Sequence, residues 1–505
     1  MASDTDAAPP RGSGSLTRPC VKCKAQEATL DSRSQAVCAD CFVKFVSGKC
    51  VKQMGILGKE TRPADGVTTT RRYLVGLSRG VSSTVLLHLL NENVEFQAAK
   101  GRPLPFELVV VFVDDGCLYA TTTREQEDSL SRYRRHFPRF TFLAVPLTAA
   151  LELEGAIDWS LLPLPRTTGT SSTAAAAAAA KDQPTPDSNS ASNLNAKLQS
   201  VFNALPSVAS RADLLRVLTR HILLSAARSN NCSAVLLGHS TTALAELTLA
   251  EAAKGRGFSL PWQINDGPVP GASSGTSRDG VPTTTTNTNE KNILIYHPLR
   301  DVLRKELVIY SRLVTDSTTA TPTTTTTINI STPKLPSDLL NPSSSSPLTS
   351  PLNGNNSNNS KAILSHKDLS IEQVMSRYFA EVEENYPSVV ANVARTTGKL
   401  MRRLFDNDDD DDHFHHSHHS HNNQQQQHPS DDEEEGDNDN DNDESKSRAR
   451  RIRTRGGCAI CGMPLDERGD ERWRGELGIG KGEGEMVDRG SKGQLCYGCE
   501  RTIQG

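Results

Sequence analysis

Eight of the 11 cysteines fall into four Cys-x-x-Cys pairs, a spacing that lets one tight turn offer two soft ligands to a metal ion. Cys20-x-x-Cys23 and Cys38-x-x-Cys41 are separated by about 14 residues, close to zinc-ribbon spacing. Two such turns joined by a short hairpin would set four thiolates tetrahedrally around one structural Zn²⁺. So small a segment has little core, and metal binding would supply much of its folding free energy. Cys458-x-x-Cys461 and Cys496-x-x-Cys499 offer a second set across a longer, Gly-rich gap. The competing readings are unrelated thiols, a redox pair or disulfides. The N-terminus, MASDTDAAPPRGSG, lacks the apolar stretch of a secretory signal, and paired cysteines in a cytosolic chain favour metal. Cys50, Cys117 and Cys232 stand singly and read as buried thiols.

A second chemistry lies in residues 73–90, YLVGLSRGVSSTVLLHLL. An apolar strand, a Ser-Arg-Gly-Val-Ser-Ser turn and the start of an apolar helix would present backbone N–H groups to a phosphate. The candidate nucleotide contacts are Ser78, Gly80, Ser82 and Ser83. A third lies in the basic side chains around the first cysteine set, Lys22, Lys24, Lys44, Lys49 and Lys52, which suit nucleic-acid phosphates or simply form a solvated surface. The tract Lys446–Arg455 reads equally as an RNA contact or a nuclear-import signal. His413 to His421 lies among Asp, Asn and Gln and reads as low complexity more than as a metal site.

These groups need elements to hold them. From about Arg71 the pattern alternates strands and helices. Strands are expected at Tyr73–Leu77, Leu108–Val113, Phe140–Val145, Ala234–Gly238 and Ile293–Tyr296. Helices are expected from Ser83, at Glu125–His136, Arg211–Arg228 and Leu244–Ala253, and through the PLRDVLRKELVIYSRL segment. LVVVFV at 108–113 is apolar throughout, as a parallel strand buried on both faces requires. Strands separated by helices predict an α/β fold, a doubly wound parallel sheet with right-handed crossovers.

The expected organisation is a disordered start (1–17), a zinc-ribbon-like module (18–60) and the α/β domain (70–315), with a disordered Thr/Ser/Ala-rich insertion at 163–193. A polar linker (316–365), a helical segment (366–405, with Ile371–Glu384 and Val389–Phe405 as its helices), an acidic, His-rich and basic tract (406–455) and the C-terminal Cys module (456–505) follow. Hydrophobic residues make up 36% and aromatics 5%, low for a fully folded chain of 505 residues, which is what such long polar inserts produce. The net charge of −4 averages basic and acidic blocks lying far apart. No apolar run approaches the roughly 20 residues needed to span a bilayer, so no membrane contact is expected.

The turn at 78–83 resembles the SGGxDS phosphate loop of the PP-loop ATP-pyrophosphatases, which adenylate a substrate before sulfur or nitrogen attack. Ser78, Gly80 and Ser83 match; Arg79 replaces a glycine and Ser82 the acidic residue that would organise the metal–pyrophosphate. Gly238-His239-Ser240-Thr241-Thr242-Ala243-Leu244-Ala245-Glu246 resembles the family's GHNxDDxAE element. Its aspartates correspond to Thr241 and Thr242, or to Thr242 and Ala243, so the carboxylates are absent either way. His297 to Glu306 resembles the PLR[DE]xxxKE helix. Where thiolating members carry a CxxC before an Arg-rich helix, this chain has Leu205 and Val208, and residues 312–457 contain no cysteine. The whole resembles the second, non-catalytic subunits of the eukaryotic cytoplasmic tRNA 2-thiolation complex. In those subunits a segment like Lys254-Gly255-Arg256-Gly257 joins a helix to an extended stretch.

The resemblance implies a degenerate PP-loop domain in which ATP binding is vestigial, and no catalytic residue of its own. It implies a heterodimer with a catalytic thiolase, tRNA as the shared substrate, and a ubiquitin-like carrier delivering sulfur to the wobble uridine of tRNAs for Lys, Glu and Gln in the cytoplasm. Two other readings remain open on the residues alone: an active ATP-dependent tRNA-adenylating sulfurtransferase with an altered loop, and a zinc-dependent RNA-binding scaffold.

Overall fold

The computed structural model describes residues 18–62, 70–119, 123–163, 189–270, 293–315, 335–336, 339, 369–400, 454–466 and 495–504. The segments 1–17 and most of 163–193 and 316–365, expected to be disordered, lie outside the described residues, as does the low-complexity tract 406–455 except for 454–455, which belong to a strand.

A six-stranded sheet organises the chain. Its strands are β3 (Arg72–Gly76), β4 (Glu107–Asp114), β5 (Thr141–Pro146), β6 (Ala234–Leu237), β7 (Gly267–Pro268) and β8 (Leu294–Tyr296); β1 (Leu30–Ser32) and β2 (Gln35–Val37) belong to the N-terminal module. The spatial order is β5-β4-β3-β6-β8-β7, with every pairing parallel except β7 on β8. The chain starts at the centre, winds outward through β4 and β5, then returns to β6 on the other side of β3. The expected doubly wound parallel sheet is therefore present, with an antiparallel edge strand added. Pro268 is tolerated there because an edge strand can spare a backbone donor.

The continuous apolar strand runs are explained by burial on both faces. Tyr73, Val75 and Val110 pack into a cluster with Leu86, Leu87 and Leu90 of helix α2 (Val81–Ala99). Leu74, Val109 and Val111 point oppositely, against Leu223, Leu224 and Ala227 of helix α5 (Val208–Ser229). Each fully buried Leu or Val is worth about 1.5–3 kcal/mol relative to exposure, so alternation along one strand fixes both layers. Helix α1 (Ala39–Glu60) joins the α2 layer through Phe42, Val46, Met54 and Leu57, alongside helix α8 (Arg304–Thr315). Helix α3 is Thr123–His136.

Three departures from expectation have local causes. Helix α4 (Asn189–Ala204) begins inside the 163–193 insertion and runs on beyond it. Its signal was legible, since Leu198, Val201, Phe202 and the following Leu205 are spaced for one buried face, but the polar tract in front hid its start. Helix α8 starts at Arg304 and not at Pro298, because residues 298–302 form turns closed by Arg300 N–H to His297 O and Val302 N–H to Leu299 O. The segment after Lys254-Gly255-Arg256-Gly257 is helical and not extended. Helix α6 (Thr241–Ala253) leads through a 3₁₀ turn into helix α7 (Leu260–Ile264), whose Pro261 lies in its first turn and whose Trp262 and Ile264 are buried. Leu335 and Leu339, in the polar linker stretch, are buried in the α2-side core, and Tyr133 Oη donates to Leu339 O at 3.2 Å.

Helix α9 (Ile371–Asn385) opens with a reciprocal capping box between Ser370 and Gln373. Helix α10 (Pro387–Thr397) follows one residue later and stops at Gly398, short of the expected Phe405. Phe379 and Val390 of this pair pack on Ala245 of α6.

Candidate functional site

Strand β3 delivers the chain into the Ser78–Ser83 turn and helix α2 carries it away. Gly80 caps α2 without a side chain, which leaves the first-turn N–H groups open. The turn closes on itself: Ser78 Oγ lies 3.1 Å from Ser83 Oγ, and Ser83 Oγ donates to Gly80 O at 3.0 Å. Arg79 has φ +62°, in the left-handed region that favours glycine and a strained choice for a residue with a side chain. Its guanidinium stacks 4.4 Å over the Phe112 ring and faces Asp115, whose carboxyl is raised by burial. Gly238, at the end of β6, comes so close that a Cβ there would lie 2.9 Å from Ser83 Cα. Only glycine lets the two central strand ends meet at the turn.

Beside this turn lies a cavity of about 1020 Å³, at the point where the strand order reverses. Ser78, Gly80, Ser82 and Ser83 all line it, so the structure brings the four predicted nucleotide residues together. His239 and Arg304 join them from the GHNxDDxAE-like and PLRD-like stretches, but sequence reasoning missed Arg216 and Arg220 from α5 and, from the distant C-terminal cysteine turn, Cys461 and Met463 as walls of this cavity. No local pattern announces them, because they arrive from elements far apart in the chain.

Thr241 and Thr242, in the stretch that resembles the GHNxDDxAE element without its carboxylates, do structural work. Thr241 Oγ1 donates to Arg300 O at 2.6 Å, and Thr242 Oγ1 accepts from Arg304 N–H at 2.9 Å. Glu246 and Arg304 form a two-pronged ion pair with one contact of 2.6 Å, so the GHNxDDxAE-like and PLRD-like stretches are bolted to each other. Leu205 is buried in an apolar cluster and Val208 is exposed at the start of α5.

His239 sits edge-on to His297 at 5.2 Å, and His297 Nδ1 pairs with Asp266 at 2.9 Å. Burial, then the neighbouring His297, Arg216 and Arg304, pushes the His239 imidazole down to about 3. Its folded value is depressed, so its contribution is present above the unfolded value and is lost as pH falls toward the folded one. Unfolding free energy is therefore expected to fall between about pH 6.5 and pH 3, by up to about 1.4 kcal/mol per pH unit for this proton. Urea midpoints at about pH 7 and pH 4.5 should show a shallower slope for His239→Gln; equal slopes would contradict a buried neutral imidazole.

The two cysteine sets share one design. In the N-terminal set, Cys20 and Cys23 come from a tight turn. The hairpin β1 (Leu30–Ser32) and β2 (Gln35–Val37) intervenes, and Cys38 and Cys41 then sit at the N-cap and third position of α1. In the C-terminal set, Cys458 and Cys461 lie in the turn between β9 (Thr454–Gly457) and β10 (Pro464–Asp466). Cys496 and Cys499 occupy the equivalent positions of helix α11 (Tyr497–Gln504). The ribbon expectation is thus modified: each second pair is presented by a helix N-terminus, whose positive end favours thiolates.

Within each set all four sulfurs lie within 4.8 Å of one another. The Cys23–Cys38 and Cys461–Cys496 sulfur separations are 3.8 and 3.7 Å. Tetrahedral Zn–S bonds of about 2.3 Å place sulfurs about 3.8 Å apart, so both sets fit Zn²⁺. Backbone N–H groups, that of Cys23 foremost, bring the Cys20 thiol down to about 6. A third cluster, Asp213, Glu251 and Glu372, is not a metal site. The Lys254 ammonium already fills it, 3.0 Å from Asp213 and Glu251 and in contact with Glu372. Of the single cysteines, Cys50 and Cys232 are buried as expected, whereas Cys117 is half-buried.

Lys22, Lys24, Lys44 and Lys52 are exposed on the N-terminal module. Lys49 is half-buried with its ammonium 5.8 Å from the Phe45 ring centroid. The 446–453 part of the second basic tract lies outside the described residues, and no helix among the described residues is long and apolar enough to cross a membrane.

Residues 370–501 match the family profile of cytoplasmic tRNA 2-thiolation protein 2. The protein of that name from Sclerotinia sclerotiorum is 33% identical over 378 residues, covering 74% of this chain and 80% of its own. The chain belongs to the cytoplasmic tRNA 2-thiolation protein 2 family. A further relative so named, from Phaeosphaeria nodorum, is 29% identical over 486 residues, 96% of this chain and 94% of its own. Among solved structures, the U34-tRNA thiolase NcsA from Methanococcus maripaludis with its [4Fe-4S] cluster covers 76% of this chain and 87% of its own. Its identity is 14% and its TM-score 0.39. The family match spans α9, α10 and the C-terminal cysteine set, which reaches the cavity through Cys461 and Met463, while the Ser78–Ser83 turn lies outside it.

Proposed function

We propose that this chain is the non-catalytic subunit of a cytoplasmic tRNA 2-thiolation heterodimer. A catalytic thiolase would be its partner, and a ubiquitin-like carrier would bring sulfur for the wobble uridine (U34) of tRNAs for Lys, Glu and Gln. The carrying observation is the fate of the nucleotide loop. Its turn and cavity persist, but Ser82 stands in place of the metal-organising carboxylate, and the Thr241 and Thr242 hydroxyls are committed to the 300–304 turn. Leu205 and Val208 carry hydrocarbon where thiolating relatives of the fold carry cysteines. ATP is then a vestigial ligand, and both four-cysteine sets are structural zinc sites framing the 70–315 domain. The exposed Lys22, Lys24, Lys44 and Lys52 would meet tRNA phosphates, with affinity falling steeply in salt.

The full-length chain should form no 2-thiouridine by itself with ATP, tRNA and a sulfur donor, and should restore it when combined with its thiolase partner. ATP-dependent thiolation by the chain alone would sink the proposal. It would favour the enzyme reading, which the open cavity of about 1020 Å³ keeps in play.

A further inference from the structure

The Lys254-Gly255-Arg256-Gly257 segment meets helix α11 with no space to spare. A Cβ on Gly255, at φ +77°, would lie 2.0 Å from the Tyr497 ring, and a Cβ on Gly498 would lie 2.4 Å from Arg256 Cγ. Between these glycines the Arg256 guanidinium is 2% exposed. Its Nη1 donates to Asp213 Oδ1 at 2.7 Å and its Nη2 to Asp213 Oδ2 at 2.5 Å. The same Nη2 lies 3.3 Å from Cys499 Sγ and 3.4 Å from Thr502 Oγ1, while Thr502 Oγ1 donates to Asp213 Oδ2 at 2.7 Å.

We propose that Arg256 is an outer-sphere residue of the C-terminal metal centre, clamped by Asp213 so that its N–H supports the Cys499 thiolate. Four thiolates around a divalent ion carry two net negative charges. In this centre Cys458, Cys461 and Cys499 are buried, so water cannot screen that charge. The N-terminal centre has Cys23 exposed and can use solvent for the same purpose. A guanidinium held bidentately on one side and aimed at sulfur on the other meets the electrostatic need and orients the ligand. The two glycines are the steric condition for it. This assignment is independent of the reading of the chain as a thiolation subunit.

The test follows metal release from the full-length zinc protein to a chromogenic chelator. Cys496→Ser identifies which of the two released equivalents belongs to the C-terminal centre. Arg256→Met should speed release of that equivalent about 10–100-fold and leave the N-terminal one unchanged. Arg216→Met is the control, because Arg216 pairs with Glu251 and Asp213 in the same ionic network without an assigned sulfur contact, and it should stay near the wild-type rate. Wild-type release from Arg256→Met, or equal acceleration by Arg216→Met, would reduce Arg256 to a structural ion-pair member and overturn the assignment. Should Arg256→Met fail to fold, Arg256→Lys in the Co²⁺-substituted chain decides. Loss of the N–H···S contact should move the sulfur-to-cobalt band to lower energy, and an unmoved band would overturn the assignment.

Discussion

Asp213→Ala is expected to destabilise the full-length chain by about 3–5 kcal/mol, the largest single-residue loss outside the metal ligands. Asp213 is 2% exposed and receives the Arg256 fork, the Lys254 ammonium at 3.0 Å and Arg216 at 3.5 Å. Burial opposes its charge, yet Arg256, then Lys254 and Arg216, hold its carboxyl well below the usual range. The same three cations bring Glu251 down to about 2 against its own burial. Removing one carboxylate from this buried set leaves Arg256 without its fork and an uncompensated positive charge. Asp213→Asn keeps shape and part of the hydrogen bonding and should cost less. Urea unfolding at neutral pH measures both, and a loss below about 1 kcal/mol for Asp213→Ala would mean that the network is not formed. Both carboxylates have depressed folded values, so their contribution is intact above the ordinary carboxylate range. It is lost only as pH falls through that range toward about 2 for Glu251.

Cys38→Ser should retain one zinc equivalent where the unmodified chain should retain two. The folded state of the 18–37 segment should lose on the order of 10 kcal/mol of metal-coupled stability. That segment has only two three-residue strands and a small apolar contribution from Cys20 and Val37. Serine removes the thiolate but is itself a good N-cap, so helix α1 keeps its start. The helix also keeps Phe42, Val46, Met54 and Leu57 in the core. Hydrogen exchange should therefore accelerate in the hairpin and stay slow in α1. Two zinc equivalents in Cys38→Ser, or loss of protection in both elements together, would refute this division of labour.

What was legible in the sequence was whatever short-range pattern dictates. The apolar run at 108–113 implied a strand buried on two faces, and the partners of β4 on both sides and the packing of α2 and α5 give the reason. Ser78–Ser83 implied a phosphate-type turn, because a strand end, a glycine and a helix start within a few residues leave the backbone few choices. The Cys-x-x-Cys spacing implied two four-sulfur sets, and their closure follows from turn geometry together with helix N-termini.

Tertiary structure alone decided which of these parts share a site. Arg256 lies 43 positions from Asp213 and 243 from Cys499, and contacts at such separations leave no periodic trace in the chain. The sequence therefore determined a doubly wound α/β fold with two four-cysteine sets. Only packing made the C-terminal set a wall of the same cavity, through Cys461 and Met463. The physical reason is range: backbone preference and side-chain alternation act over a few residues. Ion pairing and burial act wherever the fold brings groups together, and here they brought a buried arginine to a cysteine sulfur.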